Sequence, residues 1–212
     1  MRTYKARRRV TPGQAEALVR LLPAYGLDLG RPFDAAELFG RTAPLVLEIG
    51  SGMGEATAAM AAADPARDIL AVEVHTPGVA TLLRRIDAAD LRNVRVVEAD
   101  AVSLLTTVLA TGSLDEVRIF FPDPWPKARH VGRRLVAPAF IDLVADRLRE
   151  GGRLHVATDW ADYAQRTRTV VTGSERLTLV STDRGERPIT RFEARGHAEG
   201  RPSYDLVAVR TS

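Results

Sequence analysis

Residues 45–57 read LVLEIGSGMGEAT, an apolar run followed by a turn with three glycines and then by a helix-forming stretch. The short, continuous apolar run predicts a buried strand. Gly50, Gly52 and Gly54 directly follow it, at the place where an open α/β sheet binds nucleotides. The third glycine of a dinucleotide fingerprint would stand at Glu55, so the spacing departs from that motif. The loop alone is therefore a weak signal, and its neighbours must indicate the ligand.

From this stretch onward, short apolar runs alternate with stretches of helical periodicity. Repeated β-α units of this kind predict a parallel sheet covered by helices on both faces. Two final runs predict an antiparallel edge hairpin, so we expect an α/β fold with a seven-stranded, mostly parallel sheet. The predicted strands are Leu45–Ile49, Ile69–Val74, Val94–Glu98, Glu116–Phe121, Arg153–Thr158, Leu177–Thr182 and Tyr204–Arg210. The predicted helices cover residues 55–63, 77–89, 101–110, 138–149 and 160–171.

A basic arm and one helix are expected to precede this domain. Residues 2–9 contain five basic side chains and no acid. Pro12–Leu22 has helical spacing that Pro23 is expected to close. We therefore expect an arm and helix over residues 1–23 and a single domain over residues 24–212.

Composition excludes several classes of protein. The chain has 212 residues, of which 45% are hydrophobic and 27% charged, as in an ordinary globular protein. It has no cysteine, which excludes disulfides, thiolate zinc sites, iron–sulfur clusters and cysteine nucleophiles. No two of its four histidines share a helical face, so we expect no metal. No apolar run approaches the ~20 residues needed to span a bilayer, and we expect a cytoplasmic protein that does not bind membranes.

The basic residues are informative by position rather than by number. The net charge is only +3, which by itself does not indicate a nucleic-acid partner. A second basic run, however, follows the fourth predicted strand. Charge alone fits either a solvated face or a contact with nucleic acid. This run consists of Lys127, Arg129, His130, Arg133 and Arg134.

Three acids at strand ends discriminate between ligands of the glycine loop. Glu48 stands two residues before Gly50, where a carboxylate repels a pyrophosphate but suits an ammonium or sulfonium group. S-adenosylmethionine has both cations and no phosphate. Glu73 is placed to accept the ribose hydroxyls, and Asp100 to accept the adenine amino group. Each acid alone also fits a helix cap or a solvated loop charge, but the three together favour the methyl donor.

The fourth strand runs into RIFFPDPWPKARHVGRR, residues 118–134. Its three prolines cannot continue a ladder or a helix, so the chain is expected to leave the sheet as a stiff loop. Asp123 and Trp125 are thereby expected over the cofactor pocket, although Asp123 also fits a turn residue and Trp125 a hydrophobe at the rim. The basic run that follows suits phosphate contacts, so we expect the methylated group to belong to a nucleic acid.

Together these motifs resemble the bacterial tRNA (guanine-N7-)-methyltransferase family. The resemblance covers essentially the whole chain from Arg2. It implies a Rossmann-like class I methyltransferase fold, S-adenosyl-L-methionine as methyl donor without a metal, tRNA as partner, and transfer to N7 of a guanine in the variable loop. It is carried by RTYKARRRVTPGQ, LEIGSGMG, VEVH, Asp100, FFPDPWPKARHVGRRLV, ATDWADYA and ITRFEARG.

The resemblance also implies the roles of individual residues, with Asp123 as the catalytic one. The donor site would comprise Glu48, Gly50, Gly52, Gly54, Glu73, Asp100 and Asp123. Substrate would be bound by Lys127, Asp159, Thr190, Arg191, Phe192 and Glu193, and RNA would be contacted by Arg129, His130, Arg133 and Arg134.

The chemistry needs no general base, because N7 of guanine already has a free lone pair. Positive charge appears on the purine as the methyl moves, and a fixed carboxylate at Asp123 would stabilise it. The same carboxylate would alternatively select guanine by accepting its ring N–H and amine. Lys127 would donate to the guanine carbonyl oxygen or hold a phosphate.

Other interpretations of single residues stay open at this point. Asp159 fits a cap of the helix that follows it. Thr190 and Glu193 have the spacing of a capping box. His75 precedes Thr76 and a proline, which is a good helix start.

Other functions stay open as well. They are a methyltransferase acting on ribosomal RNA or protein, an NAD-dependent oxidoreductase on the same sheet, and a non-catalytic RNA-binding protein. No obligate protein partner is evident, and the sequence does not decide between a monomer and a homodimer.

Overall fold

The structure is a computed structural model that describes residues 9–211. The basic residues at positions 2–8, for which an arm is expected, lie outside the described residues. The chain divides into two compact units, the second of which begins at Ala110. The expected boundary between residues 23 and 24 stays a prediction.

The first unit is built around three parallel strands in the order β3-β2-β1. Both β1 and β2 are buried along their whole length, which explains why their sequences are apolar without alternation. Its elements are α1 (Pro12–Tyr25), α2 (Ala35–Phe39), β1 (Leu45–Ile49), α3 (Glu55–Ala63), β2 (Asp68–Glu73), α4 (Thr76–Ala88), β3 (Val94–Glu98) and α5 (Ala101–Thr107).

Helix α1 begins at a capping box and ends later than its sequence predicts. The Thr11 hydroxyl accepts from the Gln14 N–H at 3.3 Å, and the Gln14 side chain accepts from the Thr11 N–H at 3.0 Å. The prediction that Pro23 closes the helix is wrong, since α1 continues to Tyr25. Proline removes only the bond to the carbonyl of Val19, a residue on the exposed face of the last turns, where water can replace it.

The segment between α1 and β1 contains a short helix and a backbone contact that are absent from the predicted elements. It contains the single-turn helix α2, whose first turn is capped by Asp34 through the Glu37 N–H at 2.9 Å. The Leu27 N–H also donates to the Val96 carbonyl at 2.9 Å, beside β3. The second contact depends on β3, which lies far along the chain, so no local sequence pattern predicts it.

The second unit is built around four strands in the order β4-β5-β7-β6. Strands β4 and β5 are parallel, whereas β7 runs antiparallel to both β5 and β6. Its elements are β4 (Leu114–Phe120), a 3₁₀ helix (Ala128–Arg133), α6 (Pro138–Arg147), β5 (Leu148–Thr158), α7 (Ala161–Thr172), β6 (Leu177–Ser181), α8 (Arg191–Ala198) and β7 (Tyr204–Arg210).

These strands confirm the predicted fold class, a seven-stranded, mostly parallel sheet with an antiparallel edge. The largest difference is β5, which begins at Leu148 rather than at Arg153. The additional residues form an irregularity opposite the start of β4, where Gly151 has a φ of +72°. Helix α8 is missing from the predicted elements, although Thr190 and Glu193 at its start have the spacing of a capping box. Within residues 9–211, no helix combines the length and apolarity needed to cross a membrane.

Candidate functional site

The glycine loop follows β1 and has an unusual backbone. The φ values of Gly50, Gly52 and Gly54 are +75°, +56° and +72°, in a region of backbone conformation that residues with a side chain avoid. A Cβ at Gly54 would lie 2.5 Å from the Leu82 Cδ1, so this end of the loop packs directly on α4. Positions 50 and 52 instead face open space. The loop therefore presents backbone to which a ligand has close access.

Gly78, at the start of α4, explains how the loop is held and was missed by the sequence analysis. A Cβ at this position would lie 2.4 Å from the carbonyl oxygen of Gly52 and 3.4 Å from the Glu73 Cγ. Only glycine lets the helix approach the loop this closely. The only sequence signal is a glycine directly after the proline of a helix start, and its spatial neighbour stands 26 residues earlier.

Glu73, the last residue of β2, ties three backbone groups together. One carboxylate oxygen accepts from the Gly52 N–H at 2.8 Å, and the other accepts from the N–H groups of Val74 and His75, each at 2.8 Å. A carboxylate has about four acceptor positions, so one remains for a ligand hydroxyl. The expected ribose contact is compatible with this geometry and stays a prediction.

The two other strand-end acids have different surroundings. Glu48 is buried and accepts from the Thr57 hydroxyl at 2.9 Å. Asp100 caps α5 by accepting from the Ser103 N–H at 2.9 Å, so the alternative of a helix cap holds for this residue. Because β1, β2 and β3 are parallel, the strand-end acids and the glycine loop lie at one edge of the first unit.

This acidic edge has a definite chemical preference. Carboxylates beside an open glycine backbone favour a ligand with positive charge and hydroxyl groups over a pyrophosphate. In the part of the chain that the structure describes, no group of three or more His, Cys, Asp or Glu side chains is arranged to hold a metal ion. The edge is thus suited to an organic ligand bound by carboxylates and peptide groups.

The second unit contains the predicted proline-rich loop, residues 121–127, which we call the proline loop. Its first residue, Phe121, has a φ of +51°, and its N–H donates to the Ala157 carbonyl at 2.7 Å. Trp125 also has a positive φ, of +43°. Both conformations are costly for residues with side chains and need support from the surroundings. Asp123, between these residues, is exposed.

The basic run lies on the 3₁₀ helix that follows this loop. Arg129 and Arg133 are exposed, and Lys127 precedes the first turn. The Arg133 guanidinium lies 5.0 Å from the centre of the Trp125 ring, and the His130 ring meets the same indole edge-on at 5.7 Å. These side chains form a cationic and aromatic surface, in which Trp125 and His130 are partly buried.

Arg134 requires a correction to its expected role. Its side chain is 2% exposed, and it forms an ion pair of 2.6 Å with Asp162. Its Nε donates to the Pro124 carbonyl at 2.8 Å, and the guanidinium lies 5.0 Å from the centre of the Tyr163 ring. A guanidinium enclosed in this way has no face for a phosphate, so Arg134 supports the fold instead of contacting RNA.

Asp159 has a partner that the sequence does not indicate. Its Oδ2 accepts from the Arg201 Nε at 2.9 Å, and α7 is capped at Trp160 rather than at Asp159. The alternative of a helix cap is therefore wrong. A Cβ at Gly196 would lie 3.3 Å from the same carboxylate oxygen, so a glycine in α8 permits this close packing.

The TRFE stretch begins α8 and separates into exposed and buried residues. The Thr190 hydroxyl accepts from the Glu193 N–H at 3.3 Å, which confirms Thr190 as a cap. Phe192 is 54% exposed, and its ring lies 5.3 Å from that of Phe121. Arg191 is also exposed. Two of the four residues thus present their side chains to the surface.

Glu193 is the buried member, and its expected contact with substrate needs correction. Its carboxylate accepts from Arg184 at 2.6 and 3.0 Å, from Arg187 at 2.7 and 3.1 Å and from the Ser203 hydroxyl at 2.6 Å. Burial opposes its ionisation, but these bonds outweigh burial and lower its pKa to about 2. With its oxygens occupied, Glu193 organises the site without reaching a substrate.

Arg187 links this carboxylate to a second one. It donates to both oxygens of Asp205 at 2.8 Å, and the His155 Nε2 lies 2.8 Å from the same carboxylate. Burial opposes the ionisation of Asp205 as well, but the bonds from His155 and Arg187 lower its pKa to about 2. Sequence reasoning missed Arg187 and Asp205, since they stand in separate segments without a motif.

Comparisons with known proteins show the family of this chain and solved structures with a similar fold. The family model described as "Putative methyltransferase" matches residues 42–206. A "tRNA (guanine-N(7)-)-methyltransferase" of Streptomyces avermitilis is 50% identical over 215 residues, covering 98% of this chain and 74% of the relative. One of Nitrosomonas europaea with the same name is 47% identical over 204 residues, covering 94% and 91%. A structure of a putative methyltransferase from Streptococcus mutans in complex with SAH has a TM-score of 0.51 at 11% identity, covering 95% and 99%.

The mostly parallel sheet, its antiparallel edge and the glycine loop define a class I methyltransferase. The similarity to relatives extends over nearly the whole chain at about half identity. The chain belongs to the tRNA (guanine-N(7)-)-methyltransferase family.

Proposed function

We propose that this protein transfers the methyl group of S-adenosyl-L-methionine to N7 of a guanine in the tRNA variable loop, forming 7-methylguanosine. The observation that carries the proposal is the acidic edge of the first unit. There Glu73 fixes Gly52, and the backbone at positions 50 and 52 is open to a ligand. The names of relatives at about half identity support tRNA guanine as the acceptor.

The donor fits the residues at this edge. S-adenosylmethionine supplies the activated methyl group, and its two cations and ribose hydroxyls match a set of carboxylates. We assign the remaining acceptor position of Glu73 to the ribose, and the second oxygen of Asp100 to the adenine amine. Glu48 adds negative charge beside the loop. The Streptococcus mutans neighbour, whose title includes SAH, supports a donor of this class.

The proposed reaction requires no general base. The N7 lone pair attacks the methyl carbon, and the bond between that carbon and sulfur breaks, so no proton has to be removed first. Alignment of the lone pair with the donor methyl is then the main demand on the protein. We assign Lys127, Asp159, Thr190, Arg191 and Phe192 to the binding of the substrate nucleotide.

Asp123 is our candidate for the catalytic residue. It is exposed on the proline loop, whose backbone is constrained on both sides of it. A carboxylate held in this way would stabilise the positive charge that develops on the purine. It would alternatively accept the ring N–H and amine of guanine, which adenine lacks, and so select the base.

Three residues of the basic run are assigned to contacts with the tRNA backbone. Arg129, His130 and Arg133 lie on one short helix directly after the proline loop. Arginine side chains on such a surface bind phosphates and make affinity fall with salt.

The experiment that tests this function uses the full chain, labelled donor and bulk tRNA, followed by digestion to nucleosides. We expect label in 7-methylguanosine, and none when the guanines of the variable loop of a transcript are replaced by adenine. Absence of label from the tRNA, or label in a different nucleoside, would contradict the proposal. Cleavage of the labelled tRNA at 7-methylguanosine then identifies the modified position.

A further inference from the structure

Two arginine side chains hold the two halves of the proline loop. At its beginning, the Arg187 guanidinium lies 5.5 Å from the centre of the Phe120 ring and 5.1 Å from that of the Phe121 ring. Three residues further along, the Pro124 carbonyl accepts from the Arg134 Nε at 2.8 Å. Asp123 stands between these two attachments.

The Arg187 attachment is fixed by the interior of the second unit. Its side chain is 1% exposed and forms ion pairs with Glu193 of α8 at 2.7 Å and Asp205 of β7 at 2.8 Å. Both N–H edges of this planar cation are therefore engaged by carboxylates, and the phenylalanine rings contact a group that cannot move alone. Bidentate arginine–carboxylate pairs are among the most directional contacts in proteins.

The Arg134 attachment is fixed by α7. The guanidinium pairs with Asp162 at 2.6 Å and stacks on the ring of Tyr163, which is fully buried. The Tyr163 hydroxyl in turn accepts from the Val136 N–H at 3.1 Å. Arg134 thus connects a loop carbonyl to a helix that belongs to the core of the second unit.

The loop needs such support because its backbone is strained. Phe121 and Trp125 both have positive φ values, which cost about 1–2 kcal/mol for each residue with a side chain. Without external contacts, the segment would relax and carry Asp123 with it. Contacts at Phe121 and Pro124 oppose that relaxation on either side of the carboxylate.

We infer that Arg134 and Arg187 are positioning residues that keep the Asp123 carboxylate in the place required for methyl transfer. The inference rests on the proposed function, in which Asp123 is the catalytic residue. Neither arginine is assigned a contact with the donor or the base. Their effect is on the rate of the chemical step, because a misplacement of about 1 Å can cost on the order of 100-fold in rate.

The first variant is Arg134→Lys. Lysine keeps the charge opposite Asp162 but lacks the planar fork that reaches the Pro124 carbonyl while stacking on Tyr163. We expect kcat to fall by roughly 10- to 100-fold, with the KM for tRNA and the Kd for the donor unchanged. The matched control is Arg166→Lys, an exposed arginine of the same helix α7, for which we expect wild-type kinetics.

A second measurement follows the loop without reference to activity. The chain has two tryptophans, Trp125 and Trp160, so in a Trp160→Phe background the fluorescence reports Trp125 alone. We expect acrylamide to quench this fluorescence more strongly in Arg134→Lys than in the parent, because the released loop exposes the indole. Arg166→Lys is expected to leave the quenching unchanged.

Arg187→Lys tests the other attachment, with donor binding and thermal unfolding as checks that the variant folds. We expect the same fall in kcat and the same rise in quenching. Unchanged kcat and quenching in Arg134→Lys would overturn the inference, and so would a fall in kcat without a rise in quenching. Failure of the proposed function is distinguishable, since wild-type protein then forms no 7-methylguanosine while the quenching still reports whether the arginines hold the loop.

Discussion

The two site-bearing loops of this protein are stabilised in opposite ways. The glycine loop of the first unit is held through its backbone: the Glu73 carboxylate accepts hydrogen bonds from three peptide N–H groups, one of them that of Gly52, and Gly78 lets α4 pack against the Gly52 carbonyl. The proline loop of the second unit is held by buried charge, through Arg134 and Arg187. The glycine loop leaves a motif in the sequence because three of its residues need positive φ values, whereas the arginines that hold the proline loop follow no motif.

The difference also concerns which side chains remain available for chemistry. At the glycine loop, acids are engaged by the fold, and the backbone at Gly50 and Gly52 is open. At the proline loop, arginines are engaged by the fold, and Asp123 is exposed. The first arrangement suits binding, and the second suits a single reactive carboxylate with a fixed direction.

The largest expected effect is that of Asp123→Ala. Loss of one preorganised electrostatic group typically lowers kcat by about 100- to 1000-fold, and we expect a decrease of this order in 7-methylguanosine formation. Donor and tRNA affinities should stay near wild type, as measured by calorimetry and filter binding. Wild-type turnover in this variant would remove Asp123 from the reaction and leave the proline loop with a binding role only.

The next largest effect is expected for Glu193→Gln, which tests whether buried charge stabilises the part of the second unit that holds the proline loop. Removing one partner of a buried ion pair typically costs about 3–5 kcal/mol, and we expect the free energy of unfolding at neutral pH to fall by about 3 kcal/mol. Urea unfolding with m-values measures this change. Glu186→Gln, at an exposed position in the same segment, is the control. A change below about 0.5 kcal/mol, the usual size at surface positions, would show that the ion pairs are dispensable.

The same carboxylates give a predictable dependence on pH. The pKa values of Glu193 and Asp205 are lowered to about 2 from ordinary values of 4.5 and 3.8. Their contribution to stability is therefore complete above the ordinary values and is lost as pH falls from about 4.5 toward 2. We expect the wild type to lose stability steeply over this window and Glu193→Gln to show a shallower slope, measured by urea unfolding at several pH values. Equal slopes for the two proteins would contradict the lowered pKa of Glu193.

The fold was largely predictable because its strands are short runs rich in apolar and β-branched residues between stretches of helical periodicity. Leu45–Ile49, Val94–Glu98 and Tyr204–Arg210 have the predicted bounds. The start of β5 was not predictable, since residues 149–152 are polar or glycine, and only the pairing of Leu148 with Leu114 across the sheet extends the strand to them. Local pattern thus defines an element, and tertiary pairing extends it.

For the candidate site, the sequence indicates candidate residues but not which of them are engaged by the fold. The spacing that suggested a capping box at Thr190 was right about the hydroxyl, whereas the Glu193 carboxylate is taken by two arginines up to nine residues earlier. Arg133 and Arg134 are adjacent in one basic run, yet one is exposed and the other is 2% exposed in its side chain. A single sequence carries no signal that separates such neighbours.

Gly78→Ala is expected to disturb the packing of α4 against the glycine loop. The new Cβ would lie 2.4 Å from the Gly52 carbonyl oxygen, and relieving that overlap must move either the loop or α4. Overpacking of this kind costs typically 1–3 kcal/mol, and we expect donor affinity to fall by roughly 5- to 100-fold in calorimetry. The control is Gly13→Ala in α1, where the added Cβ meets nothing within 4 Å and helix propensity improves. Unchanged donor affinity in Gly78→Ala would show that the loop does not need this close approach.

The smallest expected effect sharpens the contrast between the exposed and buried arginines of the basic run. In Arg133→Gln, one cation is lost from the surface beside Trp125, so we expect weaker tRNA binding. The slope of the logarithm of the tRNA binding constant against the logarithm of the salt concentration should become smaller in magnitude by about one. In Arg134→Gln, the buried side chain makes no phosphate contact, so the slope should equal that of the wild type even if kcat falls. Filter binding at several salt concentrations measures both. Equal losses of slope in the two variants would mean that Arg134 becomes exposed when tRNA binds, and the division of this run into a binding and a supporting arginine would then be wrong.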